Sequence, residues 1–232
     1  MVALKGLEKF APKDFPGFIS STVFLGGCNF NCPYCHNSDL VQRPHELPTI
    51  PMDFFLCYLD SRRDWLDGVC ISGGEPLLEP DLEELLSLLK DRNLRIKIDT
   101  NGSFPERLES LIESNLVDWI AMDVKAPLEK YRDVTRSEVQ KEDIASSVEI
   151  IRNSGLNYMF RTTVVPGLLS EEDIIKISEW LSGSRILQIQ QFSPTNTLDR
   201  EFLNVQPYRR EEIEKFAELA RPFFSEIRME GI

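Results

Sequence analysis

The stretch Phe18-Ile19-Ser20-Ser21-Thr22-Val23-Phe24-Leu25-Gly26-Gly27-Cys28-Asn29-Phe30-Asn31-Cys32-Pro33-Tyr34-Cys35-His36-Asn37 changes character at its two glycines. Before them, Phe18 to Leu25 is apolar and β-branched and reads as a strand. After them come three cysteines, with three residues between the first pair and two between the second. A structural zinc site wants four closed ligands, whereas an iron-sulfur cube held by three thiolates keeps one iron open for something else. For zinc, the fourth ligand would have to be His36, His45, Cys57 or Cys70, and none of these completes a second Cys-x2-Cys pair. A disulfide with a spare thiol would need an oxidising compartment. The start Met1-Val2-Ala3-Leu4-Lys5-Gly6 lacks the long apolar region of a signal peptide, and no run approaches the roughly 18 apolar residues of a membrane span. The expectation is a cytoplasmic protein with no membrane segment.

Outward from this strand, apolar runs alternate with stretches of helical periodicity. Strands are expected at 18–25, 68–72, 95–99, 118–124, 157–165 and 185–192, and helices at 52–65, 81–90, 105–114, 138–153, 171–181 and 209–224. Pro80 and Asp81 mark one helix start, with Leu82, Leu85, Leu86 and Leu89 as its buried stripe. Six strand-then-helix units call for a parallel α/β sheet with helices outside, because parallel strands need crossovers. Six are too few for the usual eight-stranded barrel, so a partial (βα)6 TIM-like barrel, open on one side, is expected. No linker, repeat or low-complexity tract divides the 232 residues, so 1–232 is expected to be a single domain. A net charge of −12 disfavours nucleic acid as a partner. Beyond the loop only Cys57 and Cys70 remain, too few for a second cube; both read as packing residues, as do the tryptophans.

In such barrels function gathers at the carboxyl ends of the strands. The second strand ends in Gly73-Gly74-Glu75-Pro76, where two glycines permit close backbone approach to a ligand and Glu75 offers an acceptor for an ammonium group. The third ends in Asp99-Thr100-Asn101-Gly102, whose carboxylate and amide could hold ribose hydroxyls or a cation. In the fourth, period-two alternation sets Ala121, Asp123 and Lys125 on one face, and two inward charges are either an internal ion pair or ligand-binding groups. Arg161 in the fifth could bond a nucleoside or pair with Asp123, and Gln188 and Gln190 share a face of the sixth. His36 adjoins the cysteines and could donate to a sulfide, or lie idle.

The Cys-x3-Cys-x2-Cys spacing, the aromatic Tyr34 before the last cysteine and the Gly-Gly-Glu-Pro turn together resemble the radical SAM superfamily. That resemblance implies one [4Fe-4S] cluster on Cys28, Cys32 and Cys35, with S-adenosylmethionine on its open iron. It implies cofactor contacts from Tyr34, Gly73, Gly74, Glu75, Asp99, Thr100, Asn101, Asp123, Lys125, Arg161 and Gln190, the turn taking the methionine amino group and Lys125 its carboxylate. Asp99, Thr100 and Asp123 would surround a monovalent cation. Some activating enzymes carry a histidine just after the sixth strand, where this chain departs from them with Gln191-Phe192-Ser193-Pro194, so the resemblance does not assign the adenine contacts. The implied chemistry is reductive cleavage to methionine and a 5′-deoxyadenosyl radical, needing no separate acid, base or nucleophile. Lys9-Phe10-Ala11-Pro12-Lys13-Asp14-Phe15-Pro16-Gly17 and Cys35-His36-Asn37 are similar to the activating proteins of anaerobic ribonucleoside-triphosphate reductase. The partner would then be that glycyl-radical enzyme, and the reductant ferredoxin or flavodoxin. A peptide substrate needs a wide mouth, expected to be rimmed by 10–17 and 192–198. A radical SAM enzyme acting on a small molecule or modified nucleoside, and an iron-sulfur electron carrier, are the alternatives.

Overall fold

The computed structural model describes residues 2–232. Strands β1 (Leu4–Glu8), β2 (Ser20–Leu25), β3 (Gly68–Gly73), β4 (Arg95–Thr100), β5 (Trp119–Asp123), β6 (Asn157–Val164), β7 (Ile186–Gln191) and β8 (Glu226–Glu230) form one sheet in sequence order. All neighbours are parallel except β1, which runs antiparallel to β2. The six expected strands are therefore β2 to β7, with two further strands closing the edges. Between them lie α1 (Ser38–Gln42), α2 (Met52–Asp60), α3 (Leu82–Lys90), α4 (Pro105–Glu113), α5 (Tyr131–Thr135), α6 (Lys141–Asn153), α7 (Glu171–Trp180) and α8 (Arg210–Ala220). The first expected helix is shorter than its apolar pattern, ending at Asp60, and Trp65 beyond it is 43% exposed with Arg62 over its ring. Cys57 likewise points outward, because the buried residues of α2 are Phe55 and Leu59.

Helix positions follow from their stripes. In α3 Leu82, Leu85, Leu86 and Leu89 are buried, Glu83 and Glu84 sit in the first turn and Lys90 in the last, which suits the helix dipole. In α7 Ser170 and Asp173 form a reciprocal cap, and Lys130 pairs with Asp173 at 2.7 Å. The outer face of the sheet and the helices share the main apolar core.

The inner face is different. At the start of the strands Phe15, Trp119, Ala121, Met159 and Ile186 form a second, small apolar cluster, with Phe18 against it. The segment carrying Phe15 is tied down by Ala11 N–H donating to Ser20 O (2.8 Å) and by Thr22 Oγ1 donating to Asp14 Oδ2 (2.5 Å). Gly68 leaves room for the Phe15 ring, since a Cβ there would lie 2.9 Å from it. Residues 10–17 thus seal the amino-terminal end of the partial barrel and do not rim its mouth. Phe15 is wholly buried and an aromatic ring gains more by filling the floor than by standing in water.

Candidate metal centre and cofactor site

The loop after β2 is fastened on several sides. Gly27 N–H donates to Leu40 O (2.8 Å), Asn31 N–H to Thr135 O (2.9 Å), Leu198 N–H to Cys35 O (3.0 Å) and Asp199 N–H to Pro33 O (2.9 Å). Asn37 Nδ2 reaches Gly73 O (3.0 Å), and Asn196 Nδ2 reaches His36 O (3.2 Å). Asn196 and Leu198 therefore lie against the cysteine loop, whereas Phe192 is buried in the main core. His36 itself is exposed.

Cys28, Cys32 and Cys35 are unpaired thiols, and burial pushes Cys28 up to about 11 and Cys32 to about 12, with Cys35 also raised. The Lys125 ammonium opposes that shift at all three, and Cys28 and Cys35 each act on Cys32, so the four groups face one space. Among the described residues no three His, Cys, Asp or Glu side chains converge closely enough to cage a single ion. Three soft thiols set apart around one space, with a cation facing them, fit an anionic multi-iron cluster. Tyr34 Oη is buried without a hydrogen-bond partner, beside Cys32 and Lys125.

The turn after β3 leans on the loop after β2. Gly74 N–H donates to Leu25 O (3.0 Å) and Glu75 N–H to Gly27 O (2.8 Å). A Cβ on Gly74 would lie 1.8 Å from Gly27 O, and one on Gly73, at φ +124°, would lie 2.2 Å from Leu25 O. Here the glycines are required for the approach of one chain segment to another. Both oxygens of Glu75 take hydrogen bonds within the protein. Oε1 accepts from Leu77 N–H (3.1 Å) and Thr100 Oγ1 (2.8 Å), and Oε2 from Asn101 N–H (2.6 Å). Burial raises its pKa to about 7 against these donors. Glu75 is a clamp between two turns, and it fixes Asn101, whose Nδ2 bonds Asn29 Oδ1 (2.9 Å) and approaches Cys28 Sγ at 3.9 Å.

On the inner face an alternating chain of charges runs toward the cysteines. Lys97 pairs with Asp99 Oδ1; Arg161 bridges Asp99 Oδ2 (3.0 Å) and Asp123 Oδ1 (2.7 Å); Lys125 bonds Asp123 Oδ2 (3.1 Å). Burial would push both carboxylates up, but Arg161 and the lysines hold them below the usual range. Lys125 has its pKa lowered by burial and raised more by Asp123, Tyr34 and the thiols. The internal ion pair Asp123–Lys125 is thus present, and Arg161 takes its structural option. Lys97, unremarked in the sequence, is 1% exposed, and Cys70 lies on the same inner face with its Sγ 3.5 Å from the ammonium. Gln188 and Gln190 both donate to Glu230 Oε2, at 2.5 and 2.9 Å, so these rim amides are held by β8. The structure brings Glu75, Asp99, Asn101, Asp123 and Lys125 together near the cysteine loop.

A family model described as the radical SAM superfamily matches residues 22–181, which hold the cysteine loop and β2 to β6. The chain belongs to the radical SAM superfamily. A Methanocaldococcus jannaschii protein named, provisionally, a glycyl-radical enzyme activating enzyme is 32% identical over 97% of this chain and 94% of its own length. The pyruvate formate-lyase-activating enzyme of Streptococcus mutans is 28% identical over 82% of this chain and 76% of its own. The 7-carboxy-7-deazaguanine synthase of Clostridium acetobutylicum is 29% identical over 74% and 86%, so the likeness extends to other radical SAM roles. Among solved structures, Streptococcus suis SuiB superposes with a TM-score of 0.69 at 15% identity, over 89% of this chain and just under half (47%) of SuiB. That likeness is one of fold. The chain is a radical SAM enzyme related to glycyl-radical activases, and membership implies a [4Fe-4S] cluster and S-adenosylmethionine. Among the described residues no helix is long and apolar enough to cross a membrane.

Proposed function

We propose that residues 1–232 act as one radical SAM domain that installs a glycyl radical on a partner enzyme, an anaerobic ribonucleoside-triphosphate reductase, with ferredoxin or flavodoxin as electron donor. The observation that carries this reading is the mouth itself: three thiols and the Lys125 ammonium share a space bordered by the 193–198 loop, which is exposed at Ser193, Thr195 and Asn196. When bound, the cluster and S-adenosylmethionine supply reductive cleavage and a hydrogen-abstracting radical.

The chain's residues hold and orient. Cys28, Cys32 and Cys35 ligate the cluster. Gly73 and Gly74 shape the turn that meets the methionine amino group, and Glu75 keeps that turn in register with Thr100 and Asn101. Lys125, fixed by Asp123 and through it by Arg161 and Asp99, would hold the carboxylate of S-adenosylmethionine, and Tyr34 and Gln190 would contribute to its binding. Exclusion of water falls to the closed floor under Phe15 and Trp119.

The test is anaerobic incubation of reconstituted, reduced protein with S-adenosylmethionine and the reductase, followed by electron paramagnetic resonance. The expected result is a glycyl radical signal, with about one equivalent of S-adenosylmethionine consumed per radical and slow cleavage without the partner. The deazaguanine synthase likeness favours a second reading, a small heterocyclic substrate. Rapid multiple turnover of a metabolite, with no radical on any protein, would establish it instead.

A further inference from the structure

The family resemblance leads one to look for a monovalent cation among Asp99, Thr100 and Asp123, and the residues present do not fit one. Asp99 Oδ1 is held by Lys97, and its Oδ2 accepts from Arg161 Nη1 (3.0 Å) and Ser72 Oγ (3.2 Å). Both oxygens of Asp123 are held, by Arg161 Nε and Lys125 Nζ. Thr100 Oγ1 gives its proton to Glu75 and accepts from Gly102 N–H at 3.1 Å. No carboxylate oxygen of the trio faces a space without a cation already in it.

We infer that this chain carries its cation covalently: the Lys97 ammonium stands where a free metal ion would otherwise neutralise Asp99, and positions Asp99 to hold Arg161. Lys97 can do so because strand alternation puts it on the inner face with Cys70 and Asp99, at 1% exposure and with its ammonium 5.9 Å from the Trp119 ring centroid. A buried ammonium is costly unless paired, and burial alone would lower its pKa, yet Asp99 and Cys70 carry it above the ordinary value. The charge count agrees. Lys97, Arg161 and Lys125 face Asp99 and Asp123, three cations against two carboxylates, which leaves one positive charge at the Lys125 end. That surplus suits one incoming carboxylate; a free cation would double it in a site of low dielectric. Lys97 is a positioning residue in this scheme, since its ammonium lies against Asp99, Cys70 and the Trp119 ring and acts through Asp99.

The experiment uses ion dependence, which does not require knowing the radical's recipient. Thermal unfolding of the apo-protein is measured anaerobically in sodium, potassium and choline chloride at equal ionic strength. The wild type should melt at the same temperature in all three. Lys97→Ala vacates the ammonium's volume and should melt several degrees lower in choline, with most of the loss recovered in sodium or potassium. If Lys97→Ala does not fold in any salt, sodium-23 line widths of the wild type and Asp99→Asn decide the matter. Broadening in the wild type that Asp99→Asn removes would overturn the inference, and its absence would support it. A wild type stabilised selectively by sodium or potassium, or a folded Lys97→Ala indifferent to the ion, would overturn it too. Failure of radical transfer with this ion pattern intact would strike only the proposed activity.

Discussion

At Glu75 the fold places a carboxylate where water does not reach, and burial outweighs three hydrogen-bond donors to raise its pKa from 4.5 to about 7. A pKa higher in the folded than in the unfolded chain means that the folded state holds the proton more firmly. The stability this contributes is complete below the unfolded value near 4.5 and is lost as pH climbs through about 7, a swing of about 3 kcal/mol. Anaerobic urea denaturation of the apo-protein should therefore show stability declining between about pH 5 and about pH 7.5, and Glu75→Gln should flatten that decline; equal slopes would place the proton elsewhere. The acid's presence beside the mouth was legible from its motif, but its direction was not, because no spacing reveals whether a turn's side chain faces a ligand or its own neighbours. Asp123 and Lys125 were legible because two charges on the inward parity of an apolar strand demand an explanation. Lys97 obeyed the same parity and escaped notice because Arg95-Ile96-Lys97-Ile98 also reads as a strand with its charges in water.

The turn after β3 and the loop after β2 behave as one element, joined by the contacts of Gly74 and Glu75 with Leu25 and Gly27. Gly74→Ala would set a methyl 1.8 Å from Gly27 O, a contact relieved only by moving backbone. The variant should fold, since the outer core is untouched, but should retain less iron per chain after reconstitution; full iron content would show that the loop tolerates displacement. Six strands could be read from apolar runs alone. The edge strands could not: Leu4–Glu8 is five residues long with a glycine inside, and Glu226–Glu230 alternates charge with apolar residues at the chain's end. On β8 the exposed Glu230 accepts from Gln188 and Gln190, a contact that only the pairing with β7 shows.

For the molecule as a whole, Phe15 links the floor of the barrel to the segment before β2. Phe15→Ala should cost about 3–5 kcal/mol by chemical denaturation, in the range for a buried aromatic cut to a methyl group. A loss near zero would mean that residues 10–17 are not a structural floor. The strand order carries a consequence for synthesis. Every strand pairs with the one made just before it, so no strand has to be threaded between two that are already joined, and the sheet can grow in the order the ribosome delivers it. The cysteine loop, however, is made early and receives its clasps from Leu198 and Asp199 late. Until those residues emerge, the loop is held by Leu40, Thr135 and the turn after β3 but lacks its fastening at Pro33 and Cys35, the part of it to be secured last.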